Sequence, residues 1–195
     1  MEKLDFIQIG SNIGPTDNDI IGKILKEKDW KGIFIEPMPD SFEKLKENYK
    51  HLEGCHFENS AIAGHDGDIV IYYRSDEKYN KQQASINKGH WSNNKAMNVP
   101  CLTLTSLVTK YGFTGQKFEL LQIDAEGADD LILSNCNFNE VLPEKIRFES
   151  IHLKGNRLPN ILAYLKTFGY NKITDEYIDM VKPTEVGFDT MVKKG

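Results

Sequence analysis

Two kinds of hydrophobic block alternate along this chain. Residues 4–9, with Leu4, Phe6, Ile7 and Ile9 apolar, read as the first strand. Residues 17–28 follow with Ile20, Ile21, Ile24 and Leu25 at helical spacing. A second apolar run, 32–35, ends at Glu36. Pro39 suits the first turn of the next helix, whose stripe is Phe42, Leu45 and Tyr49. The pattern predicts further strands over 55–61, 68–73, 99–104, 118–123 and 145–151, and a short helix over 105–111. Residues 157–168 predict an amphipathic helix with Leu158, Ile161, Leu162, Leu165 and Phe168 on one side, and Gly169 fits the position past its end. The tail predicts a closing antiparallel pair, 177–181 with 186–192. Strand, glycine turn and helix in this repeated order predict an α/β fold with a mainly parallel sheet and helices on both faces.

One stretch departs from the pattern. Residues 75–98 are polar, rich in Lys, Asn and Gln, and carry Tyr79, His90 and Trp91. So long a segment is either a surface insertion or a functional element. As the latter it is a candidate lid, its aromatic rings suited to stacking on a ring or a sugar face.

Composition narrows the class. A chain of 195 residues suits a single domain, 1–195. Hydrophobic residues at 39% and charged residues at 27% are globular proportions. No apolar run approaches the ~20 residues of a membrane helix. The first residues carry no signal-peptide pattern, so a cytoplasmic protein without a membrane partner is expected. A net charge of -5, with arginine only at 74, 147 and 157, argues against a nucleic-acid partner. Cys55, Cys101 and Cys136 stand at no metal-binding spacing and are expected as small buried hydrophobes.

Three places carry candidate chemistry. The first is the turn Gln8-Ile9-Gly10-Ser11-Asn12-Ile13-Gly14, where glycines let the backbone bend and a ligand approach it. Its Gly-x-x-x-Gly spacing is neither the dinucleotide fingerprint nor a phosphate loop, because Pro15-Thr16 stands where the latter needs lysine. A plain packing turn accounts for it equally well. The second is Glu36, which ends a buried strand 22 residues after Gly14, with Pro37 fixing the exit. A carboxylate there can accept both hydroxyls of a ribose. The third is 120–129, a very apolar strand running into Asp124, Glu126, Gly127 and Asp129. Acids at such a strand end can orient a ligand or take a proton, and can equally cap the next helix.

Taken in order, residues 6–14, Ile35-Glu36-Pro37-Met38-Pro39, residues 102–107 (Leu-Thr-Leu-Thr-Ser-Leu), and Leu121-Gln122-Ile123-Asp124-Ala125-Glu126-Gly127-Ala128-Asp129 resemble the motifs of the FkbM-type S-adenosylmethionine-dependent methyltransferases. Phe148-Glu149 fits the strand that follows, and the resemblance spans 4–170. It implies a Rossmann-like class I methyltransferase fold: a mostly parallel seven-stranded sheet with helices on both faces and a C-terminal antiparallel strand pair. It implies S-adenosylmethionine as cofactor and a sugar or small-metabolite hydroxyl as acceptor. By the same resemblance Gly10, Ser11, Asn12 and Gly14 line the methionine moiety, Glu36 and Pro37 adjoin the ribose, and Asn59, Ser60 and Ala61 contact the adenine. Asp124 lies near the methionine amino group and Glu126 near the transferred methyl. Gln8 stands where the family usually has Asp, and Thr105 where it often has Asp.

An alcohol acceptor must lose its proton as it attacks. Asp124 or Glu126 is the expected base, with Glu149 and His152 on the next strand's end as second candidates. No metal is expected; if one were held, Asp124, Glu126 and Glu149 would hold it. Two other readings share parts of the pattern. A non-catalytic binding subunit accommodates Gln8, and a nicotinamide-dependent oxidoreductase shares the glycine turn and the ribose acid.

Overall fold

A computed structural model describes residues 3–16, 19–74, 84–88, 95–172 and 189–195. In chain order its first elements are β1 (Phe6–Ile9), α1 (Ile20–Ile24), β2 (Gly32–Ile35), α2 (Pro39–Asn48), β3 (His56–Glu58), β4 (Ala61–Ile62) and β5 (Gly67–Tyr73). Then come β6 (Lys95–Leu102), α3 (Leu104–Lys110), β7 (Lys117–Ile123), α4 (Asp129–Ser134), β8 (Leu142–Glu149), α5 (Arg157–Thr167), β9 (Tyr170–Lys172) and β10 (Asp189–Lys194).

Seven strands form one sheet in the order β3-β2-β1-β7-β8-β10-β9. β3, β2, β1, β7 and β8 run parallel, and β10 is antiparallel to both its neighbours. Successive strand residues point to opposite faces, and here both faces are covered. Phe6, Phe34 and Leu120 pack against Ile20, Ile21, Ile24, Leu45 and Tyr49 from α1 and α2. Ile7, Ile9, Ile33, Ile35, Leu121 and Ile123 pack against Leu107, Ile132, Leu133, Ile161 and Leu165 from α3, α4 and α5. Burial on both sides is why the central strands read as apolar runs rather than as alternation.

On the α1–α2 face the apolar surface ends abruptly. Gln8, Gln122 and Arg147 stand in register across β1, β7 and β8, one step beyond the Phe6–Leu120 pair. This polar row marks where helix cover stops and a cleft begins.

The outer parts differ from the sequence reading in three ways. The strand predicted over 55–61 splits: β3 stays in the main sheet, while Ala61 and Ile62 pair with β6 in a second sheet of order β4-β6-β5. Asn59 makes the break, because its carboxamide donates to the carbonyls of Glu36 (2.8 Å) and Pro37 (3.2 Å). Of the helix predicted over 17–28, the described part, 19–28, is regular only over Ile20–Ile24. Gly22 weakens it, and the Asp19 carboxylate, at the capping position, bonds to Gln8 and Tyr49 instead of to helix N–H groups. The closing antiparallel partner of β10 is β9, from the end of α5; the predicted partner, 177–181, lies outside the described residues. Cys101 and Cys136 are buried and Cys55 half-buried, all as free thiols. No helix among the described residues is long and apolar enough to cross a membrane.

Phe34 anchors the α1–α2 face: its ring meets Phe6 edge-on at 5.0 Å and stacks on Tyr49 at 4.7 Å and Phe57 at 5.3 Å. Phe34→Ala is expected to destabilise the protein by about 3–5 kcal/mol, read from urea unfolding monitored by circular dichroism. A loss below about 1 kcal/mol would mean that this cluster is not close-packed.

Candidate functional site

The ends of β1, β2 and β7 are bound together by the backbone. Gly10 and Ser11 both donate their N–H groups to the carbonyl of Ile35, at 3.0 and 2.9 Å, and Asp124 donates to the carbonyl of Ile9 at 3.0 Å. Gly10 has φ +78°, and a Cβ there would fall 1.9 Å from the carbonyl oxygen of Asp124. No other residue type fits that turn. The Ser11 hydroxyl braces the turn from below, donating to the Gln8 carbonyl and accepting from the Ile35 N–H. Gly14 packs close to the Tyr49 ring.

Glu36 is fixed in the gap between the tips of β1 and β2. One of its carboxylate oxygens accepts the Asn12 N–H at 2.8 Å and the other accepts the Met38 N–H at 2.9 Å. Burial pushes its pKa up to about 7, against the pull of those two N–H groups. The residue is only 6% exposed, yet it lines a cleft. Ile9, Gly10, Asn12, Pro37, Ser60, Ala61, Ile62, Asp124 and Glu126 share that lining, with Ile71, Ala84, Ser85 and Ile86 as the roof. Asn59 serves as the brace described above and is absent from the lining. A second hollow shares Gly10, Asn12, Asp124 and Glu126 and extends over Gln8, Ser11, Gly14, Asp19, Gln122 and Arg147.

Asp124 forms the floor where the two hollows meet. The protein packed around it, then Glu126 and Asp189, push its pKa up to about 7, and Arg147 opposes them. Its surface is open to the cleft, so solvent there tempers the rise. The next residues form a tight turn in which Glu126 has φ +49° and Gly127 φ +87°. For glutamate that backbone is costly. Three side chains hold it: Ser85 Oγ donates to the Glu126 carbonyl at 2.8 Å, while Asn87 Nδ2 and Arg157 Nη2 donate to the Gly127 carbonyl at 3.2 and 2.8 Å. Arg157 is itself fixed by a two-pronged pair with Asp130.

Glu126, Glu149 and His152 converge from two turns. His152 Nε2 lies 3.7 Å from a Glu126 oxygen and 3.5 Å from Glu149 Oε2. Burial, then Asp124, Glu126, Asp129 and Asp189, push Glu149 up to about 9. Asp129 is wholly buried and accepts the Glu149 N–H at 3.0 Å; burial and then Asp124 push it up to about 8.

Gln8 is tied to an acid that the sequence reading left aside. Its Nε2 donates to Asp19 Oδ1 at 2.9 Å, and the Tyr49 hydroxyl donates to Asp19 Oδ2 at 2.5 Å. Negative charge thus stands beside the amide at position 8. Ser85, Asn87, Asp19 and Arg157 were not singled out in the sequence, since isolated polar residues in a loop or on a helix carry no periodic signal. Tyr79, His90 and Trp91 of the candidate lid lie outside the described residues. The part described, 84–88, bridges Tyr72 through Ser85 and closes the cleft from above.

The sequence profile of the methyltransferase FkbM domain matches residues 8–172. No curated protein matches the chain.

The raised pKa of Glu36 gives a pH test. The fold holds a proton on this acid that the unfolded chain releases, so its stabilising contribution is full below about 4.5 and is lost as pH rises through about 7. Between those values the melting temperature of the wild type is expected to fall relative to that of Glu36→Gln, which does not titrate. Parallel melting curves across that range would mean that Glu36 ionises at its ordinary value.

Proposed function

The chain belongs to the FkbM methyltransferase family, and we propose that it moves a methyl group from S-adenosylmethionine to a hydroxyl oxygen of a sugar or another small metabolite. On this reading the main sheet is the Rossmann-like sheet of a class I methyltransferase. Its order reverses between β1 and β7, and ligands of open α/β sheets sit at such a switch point. One observation carries the proposal: a carboxylate fixed at the tip of β2 faces the same cleft as the glycine turn after β1 and the acids after β7.

The residues present fit the donor. Each oxygen of Glu36 accepts one backbone N–H and keeps a lone pair for a ribose hydroxyl. Ile62, Ile71 and Ile86 offer apolar walls to a purine. Ser60 Oγ and Asn12 Oδ1 are buried and make no hydrogen bond among the described residues, which suits a ligand rich in donors and acceptors. Asp124 and Asp19 bring negative charge to the second hollow, where an amino-acid ammonium would lie.

Bound there, the donor supplies a methyl group on a cationic sulfur; an acceptor oxygen forms the new C–O bond while the C–S electron pair returns to sulfur. The chain supplies alignment and proton removal. Asp124, with Glu126 beside it, takes the hydroxyl proton, and Glu149 and His152 are the further candidates. The segment 84–88 roofs the acceptor. The expected partner is a small molecule, with neither nucleic acid nor a membrane involved, and the expected compartment is the cytoplasm.

Calorimetry with S-adenosylhomocysteine tests the donor site. Saturable binding is expected, with NAD giving none. Glu36→Ala should weaken it by about 10- to 100-fold, the equivalent of roughly 1.5–3 kcal/mol for hydrogen bonds to a charged group. Tight NAD binding without affinity for S-adenosylhomocysteine would replace this reading with the oxidoreductase one. Across a panel of hydroxylated acceptors at saturating donor, Asp124→Asn is expected to cut S-adenosylhomocysteine production by about 10²–10⁴-fold. Turnover undiminished in Asp124→Asn and Glu126→Gln would remove both from the chemistry.

A further inference from the structure

We propose that Glu126, Glu149 and His152 form a binding site for a divalent transition-metal cation. One ligand atom from each lies within 4.8 Å of the others, with the His152 nitrogen 3.5 and 3.7 Å from the two carboxylates. Ligand atoms about 2.0–2.2 Å from a common ion stand apart by about that much. One imidazole and two carboxylates suit ions from Mn²⁺ to Zn²⁺ better than Mg²⁺ or Ca²⁺, which favour oxygen alone. Three protein ligands leave coordination positions open, as a site that engages a substrate requires.

A second observation, independent of that spacing, concerns Glu149. Its Oε2 is shielded from solvent and makes no hydrogen bond among the described residues. A carboxylate oxygen in that state is costly unless something else satisfies it, and this is the atom that faces His152. The arginines nearby are committed elsewhere, Arg147 to Asp189 and Gln122, and Arg157 to Asp130. The set is also held in place. The Asp129 carboxylate accepts the Glu149 N–H, the Arg157 guanidinium donates to the His152 carbonyl, and Ser85 fixes the backbone at Glu126. Each ligand side chain is 17–18% exposed, so solvent reaches the site, and Glu126 also lines the cleft.

The ion's role rests on the transferase reading; its binding does not. It takes one acceptor oxygen as a further ligand and makes that hydroxyl easier to deprotonate. Glu126 is then occupied as a ligand, and Asp124 remains to receive the proton. The acceptor class narrows to molecules whose reacting hydroxyl can coordinate a metal.

The test uses Mn²⁺ alone, without donor or acceptor, on metal-stripped protein. Electron paramagnetic resonance should show one Mn²⁺ bound per chain, displaced by Zn²⁺. Glu149→Gln and His152→Gln should each weaken binding by at least about 10-fold, and Glu36→Gln, outside the set, should leave it unchanged. Far-ultraviolet circular dichroism reports whether each variant folds, and Glu126→Gln replaces any that does not. Absence of saturable Mn²⁺ binding, or equal affinity in folded Glu149→Gln and His152→Gln, overturns the proposal. S-adenosylhomocysteine binding without a metal site would sink the metal alone. A metal site without S-adenosylhomocysteine binding would sink the transferase reading and leave the site standing.

Discussion

Everything at the cleft depends on how three strand ends are joined. The Ile35 carbonyl takes two N–H groups from the turn after β1, and the Ile9 carbonyl takes one from Asp124. These three bonds set the distance between Glu36 on one side and the acids after β7 on the other. They also demand a residue without a side chain at position 10, where any Cβ would overlap the Asp124 backbone. Gly10 therefore acts first as a geometric necessity of the sheet. Whatever it offers a ligand follows from that.

The electrostatics follow from the same crowding. Asp124, Glu126, Asp129 and Glu149 stand within interaction range around one corner; burial together with mutual repulsion raises Asp129 and Glu149 well above ordinary carboxylates, and raises Asp124 as far as solvent in the cleft allows. Glu36 rises too, but chiefly through burial, and two backbone N–H groups hold it in place. The chain thus keeps two kinds of acid a short distance apart. One is oriented by the backbone and suited to recognition. The others are pressed together and suited to exchanging protons or sharing a cation.

Much of this was legible in the sequence where burial imposes a pattern. The strands at 4–9, 32–35 and 118–123 are sandwiched between helices, so their apolar runs are unambiguous, and Glu36 and Asp124 announce themselves as acids that end such runs. Legibility failed where a single side chain, rather than periodicity, decides the path. Asn59 ends β3 by capping two carbonyls, and Asp19 gives up a capping role to bind Gln8 and Tyr49. Neither act leaves a trace in hydrophobic spacing. The second sheet was half visible: the extended character of 68–73 and 99–104 was plain, but their pairing with each other instead of with the main sheet was not. The departure at Gln8 looked like a lost charge in the sequence; in three dimensions the charge lies one hydrogen bond away.

The bonds from Ser85 and Asn87 to the Glu126–Gly127 turn have a consequence for access to the cleft. The roof and the acid beneath it share one latch. Lifting the 84–88 segment would break two of the three contacts on the Glu126–Gly127 turn and leave Arg157 on the Gly127 carbonyl. A cleft opened on that side therefore leaves the turn that carries Glu126 less firmly held, so access and the positioning of this acid are coupled through two hydrogen bonds.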